Sequence, residues 1–412
     1  MRGIATSGRW KVSRARMGRR EFLSRGAVVL GSVAAAPVLG TQGAQAAARR
    51  SFGGFAPGRL GLVGCDHVGL TVPDINQAIE WFEDVMGAVA PLTFGPFPAG
   101  AFLASVVDVA ETASIDQITM LRIGHSANIE LFKYTAPDGQ RHDMPKNSDW
   151  SGHHVAFYVT DIGPAVEYMV ERGVRKMPAG PFTLTGGPAA GQTIQYFQTP
   201  WGGYIEFISY PDGMAYQVPG VKPLWSPKLN GMNSVVTNVP GLLGIDHIGI
   251  TVPNIDVAAA WLEQNLGFIN PLTFGPFSDP VGTFMTDLVD VNPRAVVQQI
   301  RMLRGGNGPG VELFQYTSPD QDQTFRKNSD WGAHHIAFYA RHIDKGVDYL
   351  QSETGTKLFG PVTLTDGPAA GQSINYFENP FGTNIELISY PHGMAYQSSA
   401  PIALWDPRDN HP

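Results

Sequence analysis

Gly152-His153-His154-Val155-Ala156-Phe157-Tyr158 returns as Ala333-His334-His335-Ile336-Ala337-Phe338-Tyr339, and each copy reads as a buried strand. Side chains alternate between strand faces, so His154, Ala156 and Tyr158 share one side while His153, Val155 and Phe157 share the other. One histidine of each pair therefore looks into something. Three more strands in the first half set a polar residue among apolar neighbours: His67 in Asp66-His67-Val68-Gly69-Leu70, Glu130 in Ile129-Glu130-Leu131-Phe132, and Glu206 in Tyr204-Ile205-Glu206-Phe207. The second half supplies His247, Glu312 and Glu386 at the matching places.

Those matches belong to a repeat that covers most of the chain. Phe94-Gly95-Pro96-Phe97 recurs as Phe274-Gly275-Pro276-Phe277, and Lys146-Asn147-Ser148-Asp149-Trp150 as Lys327-Asn328-Ser329-Asp330-Trp331, at an offset of 180 to 182 residues. So long a period means duplicated domains, not a stacked solenoid. Each half is doubled again. A strand at Asp66–Val72 leads into a helix that Asp74 caps and Gly87 stops, followed by strands at Val89–Phe94, Ser105–Val109, Asp116–Arg122 and Ile129–Tyr134. The order restarts with the strand from His154 and a helix from Asp161 to about Arg172. The stretch Asp212–Pro240 reads as an extended connector. Met214-Ala215-Tyr216-Gln217 and Leu224-Trp225 within it recur as Met394-Ala395-Tyr396-Gln397 and Leu404-Trp405, so each repeat owns a C-terminal strap.

Length and composition bound the function. With 412 residues, 43% of them hydrophobic, the chain can bury more than one core. A single cysteine, Cys65, leaves no intramolecular disulfide and no cysteine-rich zinc site, so a bound metal must use His and carboxylate. The first 46 residues carry eight basic residues and one acidic residue, about +7, which leaves the remainder at about −14 out of the total of −7. That balance argues against nucleic acid as a partner. Arg19-Arg20-Glu21-Phe22-Leu23, the apolar run Ala27 to Gly40 and Ala44-Gln45-Ala46 resemble a twin-arginine export signal with its cleavage site. The run is too short to span a bilayer, so no stable membrane insertion of the mature chain is expected. The expectation is a periplasmic or extracellular protein whose leader meets the twin-arginine export machinery.

Two histidines and two carboxylates drawn from four strands suit a divalent first-row metal: Zn, Ni, Co, Mn or Fe. Burying unpaired carboxylates costs several kcal/mol, roughly, so packing alone is a poor account of four such residues repeated in matched positions. Gly69 and Ala156, two residues beyond the histidines on the same strand face, would leave space beside the metal.

At these residues the sequence resembles the vicinal oxygen chelate superfamily, which includes glyoxalase I, methylmalonyl-CoA epimerase, extradiol dioxygenases and the bleomycin resistance proteins. The Asp66–Pro73 strand and the Pro200–Glu206 ending carry the likeness. It implies an α+β fold of two tandem domains, each a pair of βαβββ modules forming a curved mixed sheet around a metal cup. The expected division is a signal peptide at 1–46, a flexible segment at 47–60, domain 1 at 61–217, a linker at 218–240, domain 2 at 241–397 and a terminal strap at 398–412. The resemblance assigns His67, Glu130, His154 and Glu206 to one cup and His247, Glu312, His335 and Glu386 to the other. His153 and His334 fall on the wrong face and are expected to pack or to support the ligands.

The same resemblance implies a small-molecule substrate and a lyase or isomerase passing through a metal-stabilised enolate. Glu130 or Glu206, and Glu312 or Glu386, would be the base. An Fe(II) extradiol dioxygenase is the alternative. Tyr196, Thr199-Pro200, Gly202 and Glu206 fit that signature, but Leu184–Gln192 and Leu364–Gln372 lack its acid/base histidine. A non-catalytic binding protein is the third reading. Arg122 and Arg304 would either meet an anionic substrate or end solvated strands. Trp150, Trp331, Tyr134, Tyr316 and the Phe94/Phe97 and Phe274/Phe277 pairs are candidate apolar walls.

Overall fold

A computed structural model describes residues 60–229, 235–354 and 359–409. The expected export signal and most of the segment 47–60 lie outside the described residues. Four modules follow one another, each opened by a leading strand and ended by a closing strand. Leading strands are Leu62–Thr71, His153–Val159, Leu242–Thr251 and His334–Ala340; closing strands are Asn128–Thr135, Tyr204–Ser209, Gly310–Thr317 and Asn384–Ser389. Each closing strand lies parallel to its own leading strand.

The modules do not pair as neighbours in sequence. The leading strand of module 1 runs antiparallel to that of module 4, with Val68 opposite Ile336, and an eight-stranded sheet is built outward from that seam. Modules 2 and 3 join in the same way, Ile248 opposite Val155, at the centre of a ten-stranded sheet. The expected pairing of modules within each repeat is therefore corrected: both sheets draw one module from each half. One physical reason is at the junctions. The turns that lead into modules 2 and 4 are bonded to strands of the other repeat: Thr71 N–H donates to Ala333 O (2.9 Å) and Thr251 N–H to Gly152 O (2.8 Å), which locks each seam.

Alternation along the strands separates two environments. Val68, Ile129, Val155, Ile205, Ile248, Val311, Ile336 and Ile385 face a single core shared by both sheets and their helices. The opposite faces are curved inward over separate apolar clusters, one for each sheet. Helices cover the shared core. Ile75–Trp81 is capped by Asp74, which accepts from Asn76 and Gln77 N–H, and a wider turn carries it to Gly87 in the left-handed conformation. Ile162–Glu171 is capped by Asp161 in the same manner.

The segment expected as a strand at Ser105–Val109 is instead the end of the helix Ala101–Val107 and the turn that follows it, with Asp108 as the left-handed cap. Leu103, Val106 and Val107 recur at helical spacing and turn one face to the cup below. Its counterpart is Phe284–Val289. The Lys-Asn-Ser-Asp-Trp repeats hold both helices in place: Asn328 Nδ2 donates to Val107 O (2.7 Å) and Asn147 Nδ2 to Val289 O (3.0 Å). Among the described residues no helix is long and apolar enough to cross a membrane.

Candidate metal centres

Every ligand candidate sits at the seam of a sheet, where leading and closing strands bring side chains to the concave face. Gly69 is flanked by Glu130 on one side and His335 on the other; Gly249 is flanked by Glu312 and His154. Ala337 stands between His67 and Glu386, and Ala156 between His247 and Glu206. Cup A therefore gathers His67, Glu130, His335 and Glu386, and cup B gathers His154, Glu206, His247 and Glu312. All eight expected residues are brought to two centres, but each centre takes two from each repeat. The partition expected from the sequence, 67/130/154/206 and 247/312/335/386, does not occur.

The donor atoms converge. In cup A, His67 Nε2 is 3.0 Å from Glu130 Oε2, 3.5 Å from Glu386 Oε2 and 3.2 Å from His335 Nε2, and His335 Nε2 is 3.2 Å from both carboxylates. In cup B the His154 separations are 3.2 Å to Glu206 and 3.4 Å to Glu312, and those of His247 are 3.9 and 3.1 Å. Donors bound at about 2.0–2.2 Å to one ion lie roughly 3.0–3.5 Å apart around a tetrahedral or octahedral centre. Glu130 Oε2, Glu386 Oε2 and His247 Nε2 are buried with no hydrogen-bond partner, as expected of atoms aimed at an ion. The residues present thus fit a divalent metal, with mixed nitrogen and oxygen donors that suit the first row.

Supporting groups orient the ligands. Asp66 accepts from His67 Nδ1 at 2.8 Å and Asp246 from His247 Nδ1 at 3.0 Å, which leaves each Nε2 lone pair directed into its cup. Tyr390 Oη donates in turn to Asp66 and Tyr210 Oη to Asp246. Arg408 and Lys228, from the two straps, lie over Tyr390 and Tyr210 at 4.9 and 4.7 Å from the ring centres. The repeated Asp-His and Tyr-Pro dipeptides were the signal for this relay, and sequence reasoning missed it.

Charge in the clusters is strongly balanced. Burial opposes a proton on His67 and His247, but Glu130 and Glu312 respectively, with the adjacent aspartates, outweigh it and hold both imidazoles well above their usual range. Burial would raise Glu312 and Glu386, yet their histidine neighbours hold both carboxyls down at about 2. Protons on the imidazoles occupy the place that a metal dication would take.

Other candidates fall elsewhere. His153 and His334 turn away from the cups and stack on one another between the sheets, ring centres 4.3 Å apart. Arg122 and Arg304 tie down straps, donating to Ala403 O (2.7 Å) and Pro223 O (2.9 Å). Trp150 stacks on Phe325 and Trp331 on His142, outside both cups. Phe94, Phe97, Phe274, Phe277 and Tyr316 do line them.

The profile of the Glyoxalase/Bleomycin resistance protein/Dioxygenase superfamily matches residues 66–193 and again 246–376. The chain belongs to this superfamily. The 2-epi-5-epi-valiolone epimerase from Actinomyces sp is 43% identical over 169 residues, 41% of this chain and 91% of that protein. Glyoxalase I from Zea mays aligns in structure at 14% identity and a TM-score of 0.46, over 79% of this chain and 92% of its own. A putative dioxygenase from Bacillus subtilis aligns at 13% identity and 0.48, over 84% and 93%. The superfamily's fold as two curled mixed sheets is what the four modules build.

Proposed function

We propose that the protein is a metal-dependent isomerase of the epimerase type, with one centre in each cup. The observation that carries this reading is the pair of intact two-histidine, two-glutamate clusters at the floors of two cavities, with Glu130 Oε2 and Glu386 Oε2 orphaned in cup A and His247 Nε2 orphaned in cup B. The 43% identity to an epimerase supports the reaction class. A divalent metal held by these residues would act as a Lewis acid, stabilising negative charge on a substrate oxygen.

The chain's own groups do the rest. In cup A, one of Glu130 and Glu386 takes the proton from the carbon beside the carbonyl and the other delivers a proton to the opposite face; in cup B, Glu312 and Glu206 divide the two roles in the same way. Asp66 and Asp246 keep the ligand histidines in the tautomer that faces the cup. Apolar walls exclude water from the carbanion-like stage. Twin-arginine export after folding is part of the same proposal, because it delivers a protein that has already closed around its metal.

Elemental analysis of the purified protein, followed by a screen of α-hydroxy carbonyl compounds in D₂O under anaerobic conditions, tests the reading. Metal in both cups and deuterium entering beside the carbonyl without oxygen consumption is the expected result. Protein that takes up no divalent ion on titration, or turnover that consumes oxygen stoichiometrically, overturns it.

A further inference from the structure

A cavity stands above each cluster, with Glu130 and Glu386 among the lining of one and Glu206 and Glu312 among that of the other. Their walls are unusual for a centre that would handle a polar compound. Cup A is walled by Phe94, Phe97, Phe102, Phe132 and a ring of aliphatic residues; cup B by Phe182, Phe274, Phe277, Phe284, Phe314 and Tyr316. Among the described lining residues of either cup there is no lysine and no arginine. Two carboxylates would already neutralise a bound dication, so nothing in the cup calls for a phosphate or polycarboxylate.

Beyond the metal ligands, the supporting aspartate and the tyrosines, one polar side chain stands in each wall. Gln192 is buried in cup B and its Oε1 has no hydrogen-bond partner; Gln372 takes the equivalent place in cup A. Gln192, Ile194 and Tyr196 share one face, and Tyr196 Oη is 3.3 Å from His154 Nε2. Gln192 therefore lies four residues from the metal end, roughly 13 Å along an extended chain. Aromatic pairs complete the rim. Phe102 of module 1, 60% exposed, meets Phe359 of module 4 edge-on at 5.4 Å, and Phe182 of module 2 meets Phe284 of module 3 at 5.2 Å.

Building on the proposed metal-dependent reading, we propose that each cup takes an uncharged substrate with an aromatic or similarly flat apolar body. Its oxygens face the His–Glu cluster, and a hydrogen-bonding group at the far end is read by Gln192 or Gln372. A polyhydroxylated body would bury hydroxyls against phenyl rings, at a loss of roughly tenfold or more in affinity for each unpaired group. The orphaned Oε1 of Gln192 gains a partner when the ligand supplies a donor there.

Hydroxamates provide chelating probes that differ only in the body attached. Calorimetric titration of the metal-saturated protein should show benzohydroxamate binding at least about thirtyfold tighter than acetohydroxamate, and gluconohydroxamate no tighter than acetohydroxamate. A 4′-hydroxyl on biphenyl-4-carbohydroxamate should improve binding to the native protein by roughly tenfold, and that gain should vanish in the Gln192→Leu/Gln372→Leu variant. Unchanged benzohydroxamate affinity in that variant shows that its cups are intact. Metal-loaded protein that binds the three simple hydroxamates equally, favours the polyhydroxylated one, or binds none of them overturns the inference while leaving metal binding in place. Failure to load metal at all would instead strike the reading on which it rests.

Discussion

Gly69 lies directly across the seam from His335, and a Cβ built on Gly69 would stand 1.8 Å from Cε1 of that imidazole. Gly249 stands in the same relation to His154, at 2.0 Å. These glycines are the slots into which ligand histidines from the other repeat are inserted, because no side chain fits beside the ring.

Gly69→Ala should therefore displace His335 and empty cup A while cup B keeps its ion; Gly249→Ala should do the reverse. Elemental analysis should find metal content halved in each variant, and near-native circular dichroism would show that the sheets survive. Full occupancy in Gly69→Ala would contradict the slot.

Paired ligand substitutions test the exchange of modules between repeats. His67→Ala with Glu386→Ala damages cup A alone and should leave half the metal. His67→Ala with Glu206→Ala, both from the first repeat, damages both cups and should leave almost none. Pairing within repeats predicts the opposite pattern.

Acidity should release the metal. The ligand histidines are held above their usual range of about 6.5 when no metal is present, so an incoming ion must displace their protons. Because Glu312 and Glu386 stay ionised down to about 2, the carboxylates add little to this dependence near neutrality. Apparent affinity should climb with pH beyond 6.5, as measured by competition with a chelator at fixed free metal. A flat profile between pH 6 and 8 would contradict the proton-loaded cluster.

The stacked histidines predict a separate acid sensitivity. Burial, then the Ser151 carbonyl and the charge on His154, set His153, and the net effect lowers it to about 4; burial and His153 also lower His334. A base with a depressed folded pKa makes the unfolded chain bind more protons between about 4 and 6.5, so stability falls as pH drops through that window. In metal-saturated protein, His153→Phe/His334→Phe should raise the melting temperature at pH 5 relative to pH 8. Parallel shifts at both pH values would mean that the pair does not titrate in this way.

For catalysis, Glu130→Gln or Glu386→Gln should lower turnover in cup A by about two to four orders of magnitude, whichever carries the proton. A cup B disabled by His154→Ala isolates the effect. Metal content measured alongside separates loss of the base from loss of the ion.

The strand reading of Asp66–Val72, His154–Val159 and their repeats was legible because polar residues stood at period two in apolar surroundings, and the duplication exposed every ligand twice. The partner of each strand was not legible. His67 pairs in space with His335, 268 residues away, and local periodicity carries no record of which of two equivalent modules lies across a seam. The helix Ala101–Val107 was misread because six of its seven residues are apolar, which hides helical period beneath a run that also suits a strand. Gln192 gave no signal, since a lone glutamine before a strand means nothing until the cavity is visible.

The exchange of modules also fixes an order of assembly. A ribosome releases the chain from its N-terminus, so modules 2 and 3 can close cup B once residue 317 has emerged, while the leading strand Leu62–Thr71 still lacks the partner His334–Ala340. Until synthesis is nearly finished, that strand presents an unpaired edge, with its amides and carbonyls open to another chain. The first of the described strands to be made is the last to be satisfied, and a nascent chain stalled before module 4 would be sticky on one side and complete on the other.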